Sequence, residues 1–424
     1  VSAIGAQAHS TATALRTWLI KDFRSSLRRH TGRIQLLPAV LLALAAGLGV
    51  AVAAYGFLRW ITPVDGSKTA AEIDVTRIAL TVVAGVGGVV ALVIAYRRQR
   101  DLEQSRFVER FGAAAAQLGA ADVAVRIAGA YAMAGVADES EGLRRQQCID
   151  VLCGYLRLPY DTEHGASGRT KFVVKAPRIE HGRVRGETEE HIEYRQNDRE
   201  VRATILRVIT NRLRPHTEYS WSAHDFDFRN AYLEGVDFSN ATFTGSAEFS
   251  RATFAGIAEF GDATFTRKAQ FGGATFTSGA WFQNATFSSG AWFHGATFTG
   301  DVQFGEATFT RTAEFGEATF TGKIWFHYVT FAHSAWFNSA TFTCDVSFNG
   351  AIFNGDVSFH DATFTGDARF MKVSFGSGIA SFVAPRRWGP PTPVFDWDQD
   401  LSQKPANVEP RDWPPTVAVP PTPS

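Results

Sequence analysis

Residues 296–306 read ATFTGDVQFGE, and variants of this eleven-residue phrase follow one another from Phe243 to Phe375. The phenylalanines keep the count. Phe243, Phe249, Phe254, Phe260, Phe265, Phe271, Phe276 and Phe282 alternate steps of six and five, and the alternation continues without a miss to Phe370 and Phe375. Just before it, Phe228, Leu233, Phe238 and Phe243 stand five apart. Self-similarity at so short a period predicts a solenoid, because one unit buries its apolar face only against its neighbours.

Strand alternation assigns the faces. Each Phe, and the Ala, Val or Ile two residues before it, points inward, while the residue between them points out. An eleven-residue turn would have to enclose two Phe rings in a lumen whose sides are only a few residues long. Two units per turn, 22 residues with four sides, put four Phe in each layer and stack them at roughly 4.8 Å. Asp301, Lys323 and Asp345 lie 22 apart, which sets opposite charges on adjacent coils. The expectation is about seven coils and a rod roughly 35 Å long.

Composition narrows the function classes. The 424 residues are 45% hydrophobic, ample for a buried core, and suggest more than one domain. With 42 Lys plus Arg against 42 Asp plus Glu there is no global basic field, so no nucleic-acid partner is expected. Three cysteines without CxxC spacing build neither a disulfide framework nor a zinc site, and a reducing compartment follows.

Two uncharged runs precede the repeat. Leu36–Leu58 has 23 residues between Arg33 and Arg59, and Ile78–Tyr96 is flanked by Arg77 and by Arg97, Arg98 and Arg100. At about 1.5 Å per residue both are long enough to span a bilayer as helices. Lys21, Arg24, Arg28, Arg29 and Arg33 before the first run, and the arginines after the second, outweigh the charge-balanced loop between them. The positive-inside rule then places both termini, and the repeat with them, in the cytoplasm of a multi-pass cell-membrane protein.

Between Gln99 and Leu158 apolar residues recur at helical spacing: Phe107, Phe111, Ala114, Ala115 and Leu118; then Val123, Ile127, Ala130, Tyr131 and Ala134; then Ile149, Leu152 and Leu156. Val201, Ile205, Val208, Ile209 and Leu213 make one more amphipathic helix. Residues 160–197 show no clear period and read as a mobile loop. Cys148 and Cys153, among apolar neighbours, read as core residues.

The units FDFRN, AYLEG, VDFSN and ATFTG, from Phe226 to Gly245, resemble the pentapeptide-repeat family. The resemblance covers residues 226 to 382 and implies a right-handed quadrilateral β-helix. The two runs and the helices, with CIDVLCGYLRLPY from Cys148 and REVRATILRVI from Arg199, are similar to its membrane-anchored actinobacterial branch. The chain departs from the family in the sixth residue of alternate units and in Phe replacing most of the usual Leu. The architecture expected is α plus β-solenoid: a basic segment 1–33, a two-helix transmembrane hairpin 34–96, a cytoplasmic helical neck 97–215 with its loop at 160–197, the β-helix 226–382, and a disordered proline-rich tail 383–424.

Flat sides around a filled interior offer no catalytic pocket, and no catalytic residue, cofactor or metal is assigned. His294 and His360 share an outward column three coils apart, and His327 lies in the other. Thr ladders of the form T-F-T, from Thr242 to Thr319 and beyond, suit an exposed β-face or an ice-like lattice. Trp281 with Trp325, and Trp292 with Trp336, occupy outward slots otherwise filled by Glu or Gln. They form the candidate surface for an unidentified protein partner, unless the indoles lie along the rod and merely cover their neighbours. The leading reading is therefore a non-catalytic, membrane-anchored interaction platform. A DNA mimic that binds a topoisomerase or another DNA-binding protein is the alternative, although 14 Asp plus Glu against 8 Lys plus Arg between Phe226 and Phe375 make a sparse acidic surface.

Overall fold

A computed structural model describes residues 70–160, 171–180, 183–193 and 198–418, with isolated positions at 49, 52, 53, 56, 57, 60 and 162. The chain forms two compact units that divide after Phe107, within the 49-residue helix α1 (Ala70–Leu118). Among the described residues no helix is long and apolar enough to cross a membrane. Most of the first uncharged run, Leu36–Leu58, lies outside the described residues. The second, Ile78–Tyr96, lies in α1, with several of its side chains outside them.

In the second unit α2 (Val123–Asp138) is capped by Asp122, whose carboxylate accepts from the amides of Ala124 and Val125. It packs with α3 (Leu143–Leu156) and α4 (Asp198–Leu213). The inward face of α2 is rotated from the one expected. Tyr131 is half exposed, and Arg126, Met133 and Ala137 are buried instead. The reason is a buried polar knot: the Arg126 guanidinium donates to Asp198 at 2.7 Å and to Tyr155 at 3.2 Å, and the Tyr155 hydroxyl donates to Asp198 at 2.5 Å. A buried cation is tolerable only when paired in this way. Cys148 and Cys153 are buried, and burial pushes both thiols up to about 12.

Two expectations are corrected here. The segment read as a mobile loop contains an antiparallel hairpin, β1 (Lys171–Glu180) with β2 (Arg183–Glu193), in which Lys175 faces Glu189. Its alternation is blurred by charges on both faces, which hid the period of two. The segment read as a disordered tail is ordered to residue 418 and completes the rod.

That rod is a four-sided, right-handed parallel β-solenoid. Its sides are named I to IV in chain order. Side I runs from Phe226–Asp227 through Ala247–Glu248 to Val408–Glu409. Side II runs through Thr253, Thr275 and Thr297, side III through Ala258, Ala280 and Val302, and side IV through Thr242, Thr264 and Thr286. Partners are 22 residues apart along most of the rod, as the repeat requires. Coil eight, built of Phe382, Trp388, Phe395 and Trp397, extends the expected seven, and the rod is about 38 Å long. Phe254 and Phe276 stack at 4.4 Å with 1° between planes, while Phe282 meets Phe293 edge-on at 5.7 Å. Each buried Phe contributes on the order of 1.5–3 kcal/mol, and the alternation of stacked and edge-on pairs is the arrangement ring quadrupoles prefer.

The five-residue steps are tight turns. In Phe260–Ala263 the Ala263 amide donates to the Phe260 carbonyl, and Asp262 takes φ +56°, the signature of a type II turn. The six-residue steps fall at the corners between sides II and III and between IV and I, where the extra residue widens the bend. Both ends are closed. At the start, Arg157 pairs with Asp227, Arg214 with Asp237, and Arg202 donates to the Tyr232 carbonyl. At the finish, Trp413 sits edge-on to Phe382, Trp388 and Phe395.

Candidate functional site

Because the inward residues are 0–1% exposed along nearly the whole rod, any interaction has to use the outward slots or the corners. On sides II and IV the outward slot is Thr along most of the rod, with Tyr232 and Arg387 at the ends of side II and Ile352 on side IV. The second Thr of most T-F-T phrases is turned to the corner: Thr277, Thr299, Thr321, Thr343 and Thr365 each donate a hydroxyl to the Phe carbonyl of the coil before. These hydroxyls satisfy the bend and do not form a second outward rank for a lattice.

On sides I and III the outward columns are mixed. Side III reads Glu259, Trp281, Gln303, Trp325, Ser347 and Arg369 in register. Side I reads Glu248, Gln270, Trp292, Glu314, Trp336 and Ser358. The four predicted tryptophans thus form two pairs on opposite sides, each pair two coils apart, and no flat partner touches all four. All four are half-buried. Trp281 lies against Gly279, where an added methyl would sit 2.9 Å from its ring. Trp292 covers Gly290 in the same way, with the Lys268 ammonium 5.0 Å from its ring centroid. The Trp281 and Trp292 indoles lie against the rod, and all four tryptophans keep part of their surface in solvent.

Glu314, between Trp292 and Trp336, has its carboxyl raised above the usual range by burial, partly offset by His294. Burial raises Glu248 on the same column. On side III burial lowers His327, whose Nε2 lies 2.7 Å from the Ser347 hydroxyl. Beyond Trp325 the small Ser347 leaves a pocket of about 300 Å³ before Arg369. A small residue between two large ones in a column is the signal that marks it, and the sequence reading passed over it. Among the described residues no group of three His, Cys, Asp or Glu is placed to hold a metal.

Overlapping matches to the family model for pentapeptide repeats (9 copies) cover 228–268, 260–308, 293–341, 304–352 and 326–374. The rod carries pentapeptide repeats. No curated protein and no solved structure matches the chain. The pentapeptide-repeat match ends at residue 374, before the aromatic eighth coil, whose steps of six, seven and two from Phe382 to Trp397 leave the period. A filled β-solenoid of this kind fits a non-catalytic repeat scaffold.

Proposed function

We propose that the chain is a membrane-anchored scaffold that presents its pentapeptide-repeat rod to the cytoplasm as a protein-interaction platform, without catalysis. The observation that carries this reading is the pair of tryptophans on each of sides I and III, large apolar side chains in outward slots of a rod whose core is already filled. Tryptophan is among the residues enriched where binding energy concentrates. The anchor is supported by the uncharged run Ile78–Tyr96, by its flanking arginines, and by the exposure of Val89, Leu92, Val93 and Tyr96 along α1, which in water would be an unfavourable apolar surface. Replacing Trp281, Trp292, Trp325 and Trp336 together by Ala should abolish recovery of protein partners with the full chain. Unchanged recovery would remove the platform reading. Acidic mimicry of DNA has weaker footing, since Thr fills most of sides II and IV and Glu alternates with Gln, Ser and Trp on the other two.

A further inference from the structure

Resting on the platform reading, we propose that side III is a cradle for a polyproline-II segment, with Trp281 and Trp325 taking successive turns of a proline-rich chain laid along the rod and Gln303 between them. Repeat lengths select this occupant. Trp281 pairs in register with Gln303, and Gln303 with Trp325, so the indoles stand two coils, roughly 9.6 Å, apart. A polyproline-II helix brings the same face round every three residues, about 9.3 Å. A β-strand repeats its face at about 6.6–6.8 Å and an α-helix turns every 5.4 Å or so, and neither fits the two indoles.

The chemistry of the column agrees with the spacing. Proline rings pack on flat aromatic surfaces, the mode by which proline-rich segments dock in aromatic-lined grooves. Gly279 lets the Trp281 indole settle against the backbone, so its orientation is set before any ligand arrives. Polyproline II makes no internal hydrogen bonds and leaves its carbonyls seeking donors. Gln303 carries an amide donor at the midpoint, and its oxygen accepts from Gln283, which orients that amide. Side I has the same tryptophan spacing but not the same chemistry. Its midpoint is the carboxylate of Glu314, which repels carbonyls, and Lys268 already lies over Trp292. Past Trp325 the groove opens into the 300 Å³ pocket floored by Ser347 and bounded by Lys323, His327, Asp345, Asp367 and Arg369, charges of both signs, which has room for a side chain flanking the proline run.

The test is calorimetric titration of the full chain with a synthetic nonaproline peptide, and with a peptide of the same length in which every third proline is replaced by aspartate. Nonaproline should bind, the aspartate peptide should not, and Trp281→Gln or Trp325→Gln should each weaken binding about tenfold or more. Gln already stands at 303 in this column, so the fold accommodates these variants. Thr297→Val, on the outward slot of side II, should leave binding unchanged. Absence of nonaproline binding, or binding that survives the Trp281→Gln and Trp325→Gln double variant, overturns the proposal. If nonaproline is ignored while the four-tryptophan variant still loses its protein partners, the ligand class falls and the platform stands. If that variant keeps its partners, the platform itself falls.

Discussion

Thr299 donates both its backbone amide and its side-chain hydroxyl to one acceptor, the carbonyl of Phe276 in the preceding coil, at 2.9 and 3.0 Å. One residue thus satisfies both lone pairs of a carbonyl at a bend where the strand ladder is interrupted. Thr299→Val removes the hydroxyl and keeps the shape, and should cost about 0.5–1.5 kcal/mol in chemical denaturation. Thr297→Val, on the outward slot two residues earlier, should change stability by no more than about 0.5 kcal/mol. Equal effects at the two positions would contradict the division of labour within T-F-T.

Trp413 closes the last coil over Phe382, Trp388, Phe395 and Trp397. Without it a layer of aromatic rings faces water. Trp413→Ala should lower stability by about 1.5–3 kcal/mol and speed hydrogen exchange first in the eighth and seventh coils, since repeat arrays lose order from an uncapped end. Loss of protection spread evenly along the rod would argue against an end cap.

How much of this was legible follows from which residues carry the order. The six-and-five spacing of Phe gave period, faces and a 22-residue coil, and the Lys323 ammonium does lie 3.4 Å from Asp345, as the charge spacing implied. The eighth coil was hidden because Trp388 and Trp397 stand in for Phe at irregular steps among prolines, which ordinarily mark disorder. The Arg126, Tyr155 and Asp198 knot joins positions up to 72 residues apart, and no local period announces it. Outward tryptophans are visible in sequence as breaks in a column, but whether an indole stands up or lies down depends on Gly279 and Gly290 beside it.

The cysteines separate by environment. Burial holds Cys148 and Cys153 near 12, so little thiolate is present at pH 8, whereas Cys344 is partly exposed at a corner of the rod. A membrane-impermeant maleimide should label Cys344 alone in the folded chain, and all three after denaturation. In intact cells Cys344 should stay unlabelled until lysis. Labelling before lysis would reverse the proposed orientation.

Glu314 links the surface to pH. Its folded-state pKa is raised by burial from an unfolded value near 4.5, so the folded form binds its proton more tightly. The stabilisation from that proton is complete below about pH 4.5 and lost as pH rises through the folded value. Above that folded value the wild type carries a partly desolvated carboxylate, and Glu314→Gln should there be modestly more stable. The difference should close as pH falls toward 4. A gap that is constant with pH would mean that ionisation is not its source.

The central claim is that partners meet this rod on its tryptophan sides, and site-specific photocrosslinking tests it most directly. A benzophenone side chain placed at Gln303 on side III, at Glu314 on side I, or at Thr297 or Thr308 on sides II and IV would sample all four outward surfaces of the full chain in cells. Discrete crosslinked protein should form from Gln303 and Glu314 and little from the threonine positions. Equal yields from all four sides, or products from the threonine positions alone, would contradict the claim.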